Sequence, residues 1–181
     1  MRQQIRLLLF VAAAILQLAT PLYMAWHWEN ILQTGETFYW KTAPVDPYDT
    51  FKGRYMDLRF QQATVTRPDH TAWRYGQTAY ALIDRDSQNH AYISGISHSV
   101  PSNAVYLQVK VSYIQDDTIH IELPFKRYYL PEDLTSAAEN AYRKHVGEAT
   151  VAAVRIKDGY GVIEQLYIKG QPLSEFLQNQ K

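Results

Sequence analysis

Residues 105–114, VYLQVKVSYI, set Val105, Leu107, Val109, Val111 and Tyr113 on one face and Tyr106, Gln108, Lys110 and Ser112 on the other. A period of two marks a strand with one face in a core and one in water, because successive Cβ atoms leave opposite sides of the pleat. QDDT then turns the chain, and TIHIEL, residues 118–123, returns with Ile119, Ile121 and Leu123 inward, which predicts an antiparallel hairpin.

The same pattern recurs on both sides of this hairpin. TVAAVRI and YGVIEQLYI flank Lys157-Asp158-Gly159, and Asp-Gly between alternating runs favours the tight turn whose twist matches paired strands. TAYALI and AYISGI flank RDSQNH as a looser hairpin. With FYWKT and YMDLRF the runs predict roughly eight strands. One helix interrupts them. PEDLTSAAENAYRKH, from Pro131, places Leu134, Ala137, Ala138, Ala141, Tyr142 and His145 on one stripe. Glu132 and Asp133 at its start and Arg143 and Lys144 at its end complement the helix dipole, and Glu139 is spaced to pair with Arg143. A second helix is expected at PLSEFLQNQ.

The other decisive stretch is LLLFVAAAILQLATPLYMAW, residues 7–26, which holds no formal charge. At about 1.5 Å per residue these positions span roughly the 30 Å of a bilayer core. Arg2 and Arg6 precede the run and Glu29 and Glu36 follow it, while Trp26, His27 and Trp28 stand where an aromatic belt meets the headgroups. This charge asymmetry predicts a cytoplasmic N-terminus and an extracytoplasmic remainder, in the inner (cytoplasmic) membrane. Signal-peptide cleavage competes with this reading but lacks a good site: a cut after Ala19 leaves Gln17 at the third position before it, and a cut after Ala25 leaves Tyr23 there. Pro21 cannot donate to the Gln17 carbonyl, so the helix must kink or find another donor, for which the Gln17 amide is at hand. Gln17, with Ala13 and Thr20, is also a candidate contact for a membrane partner, against the plainer reading of a tolerated polar residue.

The expected class is thus α+β and β-rich: one N-terminal transmembrane helix, then an antiparallel β-rich soluble domain with one amphipathic helix and a short C-terminal helix. The partition is a cytoplasmic tip at 1–6, a transmembrane helix at 7–28, a juxtamembrane stalk at 29–35 closed by Gly35, and the extracytoplasmic domain at 36–181. Eighteen basic residues balance eighteen acidic ones, so nothing predicts a nucleic-acid partner. The chain has no Cys, hence no disulfide, thiol nucleophile or lipid-bearing cysteine.

Residues 44–60, PVDPYDTFKGRYMDLRF, stand apart. Pro44 and Pro47 fix their own φ and push Ala43 and Asp46 toward extended backbone, so the loop is a stiff acidic corner. Beyond Gly53, Met56, Leu58 and Phe60 alternate with Tyr55, Asp57 and Arg59. The corner either aims a strand or forms a binding or catalytic loop. GRYMDLRF, residues 53–60, resembles the motif of the GDYXXLXY family of bacterial membrane-anchored proteins: Gly53, Tyr55 and Leu58 match, Phe60 replaces the final Tyr, and Arg54 stands where the motif has Asp. PVDPYDTF, RYYLPE and LYIKG extend the likeness. The resemblance implies a single anchor, an extracytoplasmic β-rich domain, and a family of uncharacterised role without catalytic residues to carry over. It also suggests, by association, a membrane complex.

No enzyme signature stands out. GISHS, residues 95–99, begins like a nucleophile elbow, yet Ser99 replaces the second Gly and no helix follows. The six histidines show no close ligand spacing, and no P-loop or dinucleotide fingerprint is present. Asp46 and Asp49 need a distant ligand before they hold a metal. No cofactor, metal or catalytic residue is therefore assigned. Two functions are carried forward: a membrane-anchored interaction or accessory domain that docks on an integral membrane protein, and an extracytoplasmic enzyme or small-ligand binder built on the acidic loop. Asp46, Asp49, Arg127 and Tyr128 form the candidate polar cluster, with Arg127 expected to pair with Asp46 or Asp49 and Tyr55 or Tyr128 to pack over the pair.

Overall fold

The apolar N-terminal run lies in one helix, α1 (Arg2–Thr34), which continues through Pro21. The computed structural model describes residues 2–44, 55–61, 63–67, 72–147 and 150–179. After α1 come β1 (Glu36–Ala43), β2 (Tyr55–Asp57), β3 (Arg59–Phe60), β4 (Thr64–Thr66), β5 (Thr78–Arg85), β6 (Ala91–Ser97), β7 (Tyr106–Gln115), β8 (Thr118–Glu122) and β9 (Arg127–Tyr129). Then follow α2 (Glu132–His145), β10 (Thr150–Lys157), β11 (Tyr160–Ile168), β12 (Gln171–Pro172) and α3 (Leu173–Gln178).

One five-stranded sheet runs β12-β11-β10-β1-β3, a second runs β4-β8-β7-β5-β6, and β2 pairs with β9. Every pairing between these strands is antiparallel. Two isolated parallel bridges, Tyr39↔His90 and Leu107↔Gly159, tie the large sheets together. A single apolar cluster fills the space they share, with Phe38, Trp40 and Val154 from one sheet and Leu107, Val111 and Ile119 from the other.

All three expected hairpins form. In the tightest, Lys157 pairs with Tyr160 across Asp158 and Gly159, whose φ values of 51° and 84° belong to the left-handed turn that Asp-Gly favours. Lys169 and Gly170 repeat that conformation, at 52° and 77°, between β11 and β12. In the looser hairpin, Asp86 Oδ1 accepts from the Gln88 and His90 N–H groups at 2.8 Å each, a local network that replaces ladder bonds.

Four expectations need correction. Tyr113 is not on the core face: the register of β7 against β8 shifts between Val111 and Tyr113, and one extra residue turns Tyr113 outward to 51% exposure while Ile114 packs toward the core. The described residues hold twelve strands rather than about eight, because YMDLRF is shared between two ladders and β4, β9 and β12 are only two or three residues long. On α2, Ala137 is exposed and Thr135 takes a buried place in the stripe. Arg143 donates to Asn140 Oδ1 at 2.9 Å instead of pairing with Glu139.

Among the described residues α1 is the one helix long and apolar enough to span a membrane. Its residues from Gln3 to Trp26 are exposed all round, apart from half-buried Ala14.

Candidate functional site

The motif strand is where two ladders meet. Tyr55, Met56 and Asp57 pair with Tyr129, Tyr128 and Arg127, the Leu58 N–H donates to the Lys126 carbonyl at 2.7 Å, and Arg59 and Phe60 then pair with Ala43 and Thr42. The chain therefore leaves β9 and joins β1 within six residues. Met56 and Leu58 are buried, and Phe60 meets Phe125 and Trp40 edge-on at 5.2 and 6.0 Å. Alternation of apolar and polar positions is what lets one short run serve both ladders with its apolar side always inward. Gly53 lies outside the described residues, as do Asp46 and Asp49, and with them the expected partners of Arg127.

The described part of the polar cluster divides between two faces. The Arg127 guanidinium sits 4.7 Å over the Tyr55 ring, which tilts against Tyr129 at 5.9 Å, so these three side chains form an outward patch. Tyr128 turns the other way, where its hydroxyl donates to Gln165 Oε1 at 3.2 Å and burial pushes the phenol pKa up. Tyr55 thus packs against the guanidinium and Tyr128 turns away from it, while the carboxylates with which Arg127 was expected to pair lie outside the described residues.

A second set of groups, absent from the sequence reading, braces the base of the acidic corner. The Tyr142 hydroxyl reaches from α2 to donate to the Ala43 carbonyl at 2.8 Å, and burial raises its pKa. Gln61 Nε2 donates to the Thr42 carbonyl at 3.1 Å, and the buried Thr42 hydroxyl donates to the Thr150 carbonyl at 3.0 Å. The period of α2 told that Tyr142 faces the core, but no local signal names a partner 99 positions away.

The foot of α1 is also built into the domain. Ile31 is 2% exposed, Lys157 Nζ donates to the Thr34 hydroxyl at 2.7 Å, and Arg155 Nη1 donates to the Gly35 carbonyl at 3.2 Å. Arg155 is aimed by Glu164 through a fork of two hydrogen bonds at 2.8 and 2.9 Å, and that carboxylate holds the guanidinium pKa above its ordinary value. Gly35 is not in the left-handed conformation of a helix-ending glycine. It is needed for close approach, since a Cβ there would lie 2.5 Å from the Ile31 carbonyl oxygen and 3.2 Å from Arg155 Cβ. One turn nearer the apolar run, Tyr160 at the β10–β11 turn meets His27 at 4.9 Å and Trp28 at 5.9 Å, both edge-on. The expected stalk is therefore continuous helix clasped by a hairpin.

Gln17 is exposed within α1 and its side chain makes no hydrogen bond among the described residues. In the turn before Pro21 it is the Thr20 hydroxyl that bonds back, to the Leu16 carbonyl at 2.9 Å. GISHS is the end of β6, where the Ser97 hydroxyl donates to the Ser99 carbonyl at 2.9 Å and His98 stacks on Trp73 at 3.8 Å. Among the described residues no three His, Asp or Glu side chains gather as a metal site.

No curated protein and no solved structure shows significant similarity to the chain. A family profile does match, that of the GDYXXLXY protein, over residues 17–166. The match takes in the second half of α1, the motif strand and the β9–α2 segment together, so the likeness rests on most of the chain and not on an isolated octapeptide. The chain belongs to the GDYXXLXY protein family.

Proposed function

We propose that this protein is a single-pass accessory subunit of the inner membrane, N-terminus cytoplasmic and β-rich domain extracytoplasmic, which docks on an integral membrane partner. The observation that carries the reading is the contrast along α1: its apolar residues from Leu7 to Trp26 are exposed apart from half-buried Ala14, whereas Ile31 and Gly35 are buried against the domain and Thr34 is bonded to it. An apolar surface of that length is costly in water and at no cost in lipid, and a clasped foot holds the domain at a set height and rotation over the bilayer. A domain oriented in this way presents the same face to any neighbour in the membrane. Arg2 and Arg6 before the span support the orientation. Within the span, Gln17 offers a partner helix a side-chain amide that makes no hydrogen bond among the described residues.

The test is affinity purification of the intact chain from solubilised membranes after in-membrane cross-linking. The expected result is an integral membrane protein recovered in fixed ratio and lost on replacement of α1 by an unrelated span. Recovery of the chain alone, with or without its own α1, would overturn the docking reading.

A further inference from the structure

On the outer face of the first sheet, away from the shared core, Tyr39, Val151 and Tyr167 form the floor of an open cavity of about 230 Å³. Its rim is the β5–β6 turn, which brings Gln88, Asn89 and His90 across from the second sheet at the parallel bridge between Tyr39 and His90. We infer that this cavity is a binding site for a neutral, hydroxyl-rich ring, that is, a saccharide unit.

The floor supplies the first half of the argument. The Tyr39 and Tyr167 rings meet at 6.3 Å and 65°, so that between them they present both an aromatic face and an aromatic edge. The C–H side of a pyranose packs on such a surface, because it is the apolar side of an otherwise polar ring. Neither phenolic hydroxyl has a hydrogen-bond partner among the described residues. Both are available to a ligand.

The rim supplies the second half. Gln88, Asn89 and His90 are donors and acceptors without a fixed charge, and a carboxamide can give and take a hydrogen bond at adjacent sugar hydroxyls. Their loop is already in one shape: Asp86 Oδ1 accepts two backbone N–H groups, the Asp86 N–H donates to the His90 carbonyl at 2.8 Å, and Asn89 holds a φ of 64°. A loop ordered before binding leaves less entropy to lose on binding. His90 Nδ1 is buried and lies 3.7 Å from Asp86 Oδ1, too far for a hydrogen bond, with no other partner among the described residues. Of the charged groups beside the rim, Asp86 is occupied by the Gln88 and His90 N–H groups and Lys41 is engaged with Gln88 Oε1 at 3.4 Å. Glu164, near Tyr167, is neutralised by Arg155. The lining therefore selects for hydroxyls over phosphate or carboxylate.

The inference does not rest on the membrane reading and is tested separately. The full chain, in a detergent without a sugar headgroup, is titrated with methyl β-glucoside and with N-acetylglucosamine, followed by saturation-transfer NMR. Saturable transfer to ring protons of at least one probe is expected, with affinity falling about tenfold in Tyr167→Phe and in His90→Phe, each removing one polar partner. Tyr167→Phe keeps the packing of the ring, so a loss there is not a folding defect. The absence of transfer with both probes, equal binding by the variants and the parent, or tighter binding of glucose 6-phosphate than of the neutral probes would overturn the assignment.

Discussion

Single residues set several of the contacts on which the architecture depends, and three of them make good tests. The Tyr142 hydroxyl links α2 to the end of β1 by donating to the Ala43 carbonyl, and removing it leaves that bond unmade. Tyr142→Phe should lower stability by about 1–2 kcal/mol in chemical denaturation of the full chain. The fold raises the Tyr142 pKa, chiefly by burial, so its stabilising contribution is whole below the unfolded tyrosine value and is lost as pH rises through the folded one. Alkaline melting curves of parent and variant should accordingly converge above the ordinary tyrosine range; a gap that stays constant would refute the assignment. Gly161 answers to space alone, since a Cβ there would meet Phe125 Cδ1 at 2.5 Å and Leu107 Cδ2 at 3.1 Å. Gly161→Ala should cost about 1–3 kcal/mol by overpacking, read as a lowered melting temperature. Arg127 is an exposed residue on a tyrosine ring, and such a cation–π contact is worth about 0.5–1 kcal/mol. Arg127→Ala should cost no more than that; a several-fold larger loss in the denaturation midpoint would mean that a desolvated carboxylate also holds the guanidinium.

At the scale of elements, what a local pattern encodes and what a ladder imposes come apart. The alternation of β7 is correct from Leu107 to Val111, then a bulge reverses it and Tyr113 stacks on His120 at 3.8 Å, outside the core. Nothing in VYLQVKVSYI announces the extra residue, because a bulge is decided by how two strands accommodate each other. The motif strand shows the reverse case. Its period was legible, and its division between β9 and β1 was not, since pairing partners lie far along the chain. The α1 foot yields the element-scale prediction. Gly35→Ala places a Cβ against the Ile31 carbonyl and should shift the helix off β10, which hydrogen exchange would register as faster exchange of amides 31–35 while the β7–β8 amides stay protected. Uniform protection throughout would mean that the clasp tolerates the methyl group.

For the molecule as a whole, the length and exposure of α1 lead to a topology that one experiment decides. A reporter active only outside the cytoplasm should be active when fused after Lys181 and silent when fused before Met1. Activity with the opposite pattern would reverse the proposed orientation without touching the fold. The clasp adds a mechanical consequence: with Lys157, Arg155 and Tyr160 all engaged at the helix end, the domain cannot swing freely on a linker.

The sequence by itself determined the membrane-length helix, the hairpins, the core face of α2 apart from the exchange of Ala137 for Thr135, and the family motif with its apolar positions inward. These follow from spacing and turn chemistry between residues close along the chain, where the physics is local. Which strands share a sheet, that YMDLRF spans two ladders, that Tyr142 braces Ala43, that Arg155 and Lys157 clasp the helix foot, and that Tyr39, Tyr167 and His90 share a cavity were decided only by the tertiary structure. Each of these contacts joins residues far apart in sequence. Their formation depends on which apolar faces are buried together, a choice made by the whole chain when the two sheets close on one core.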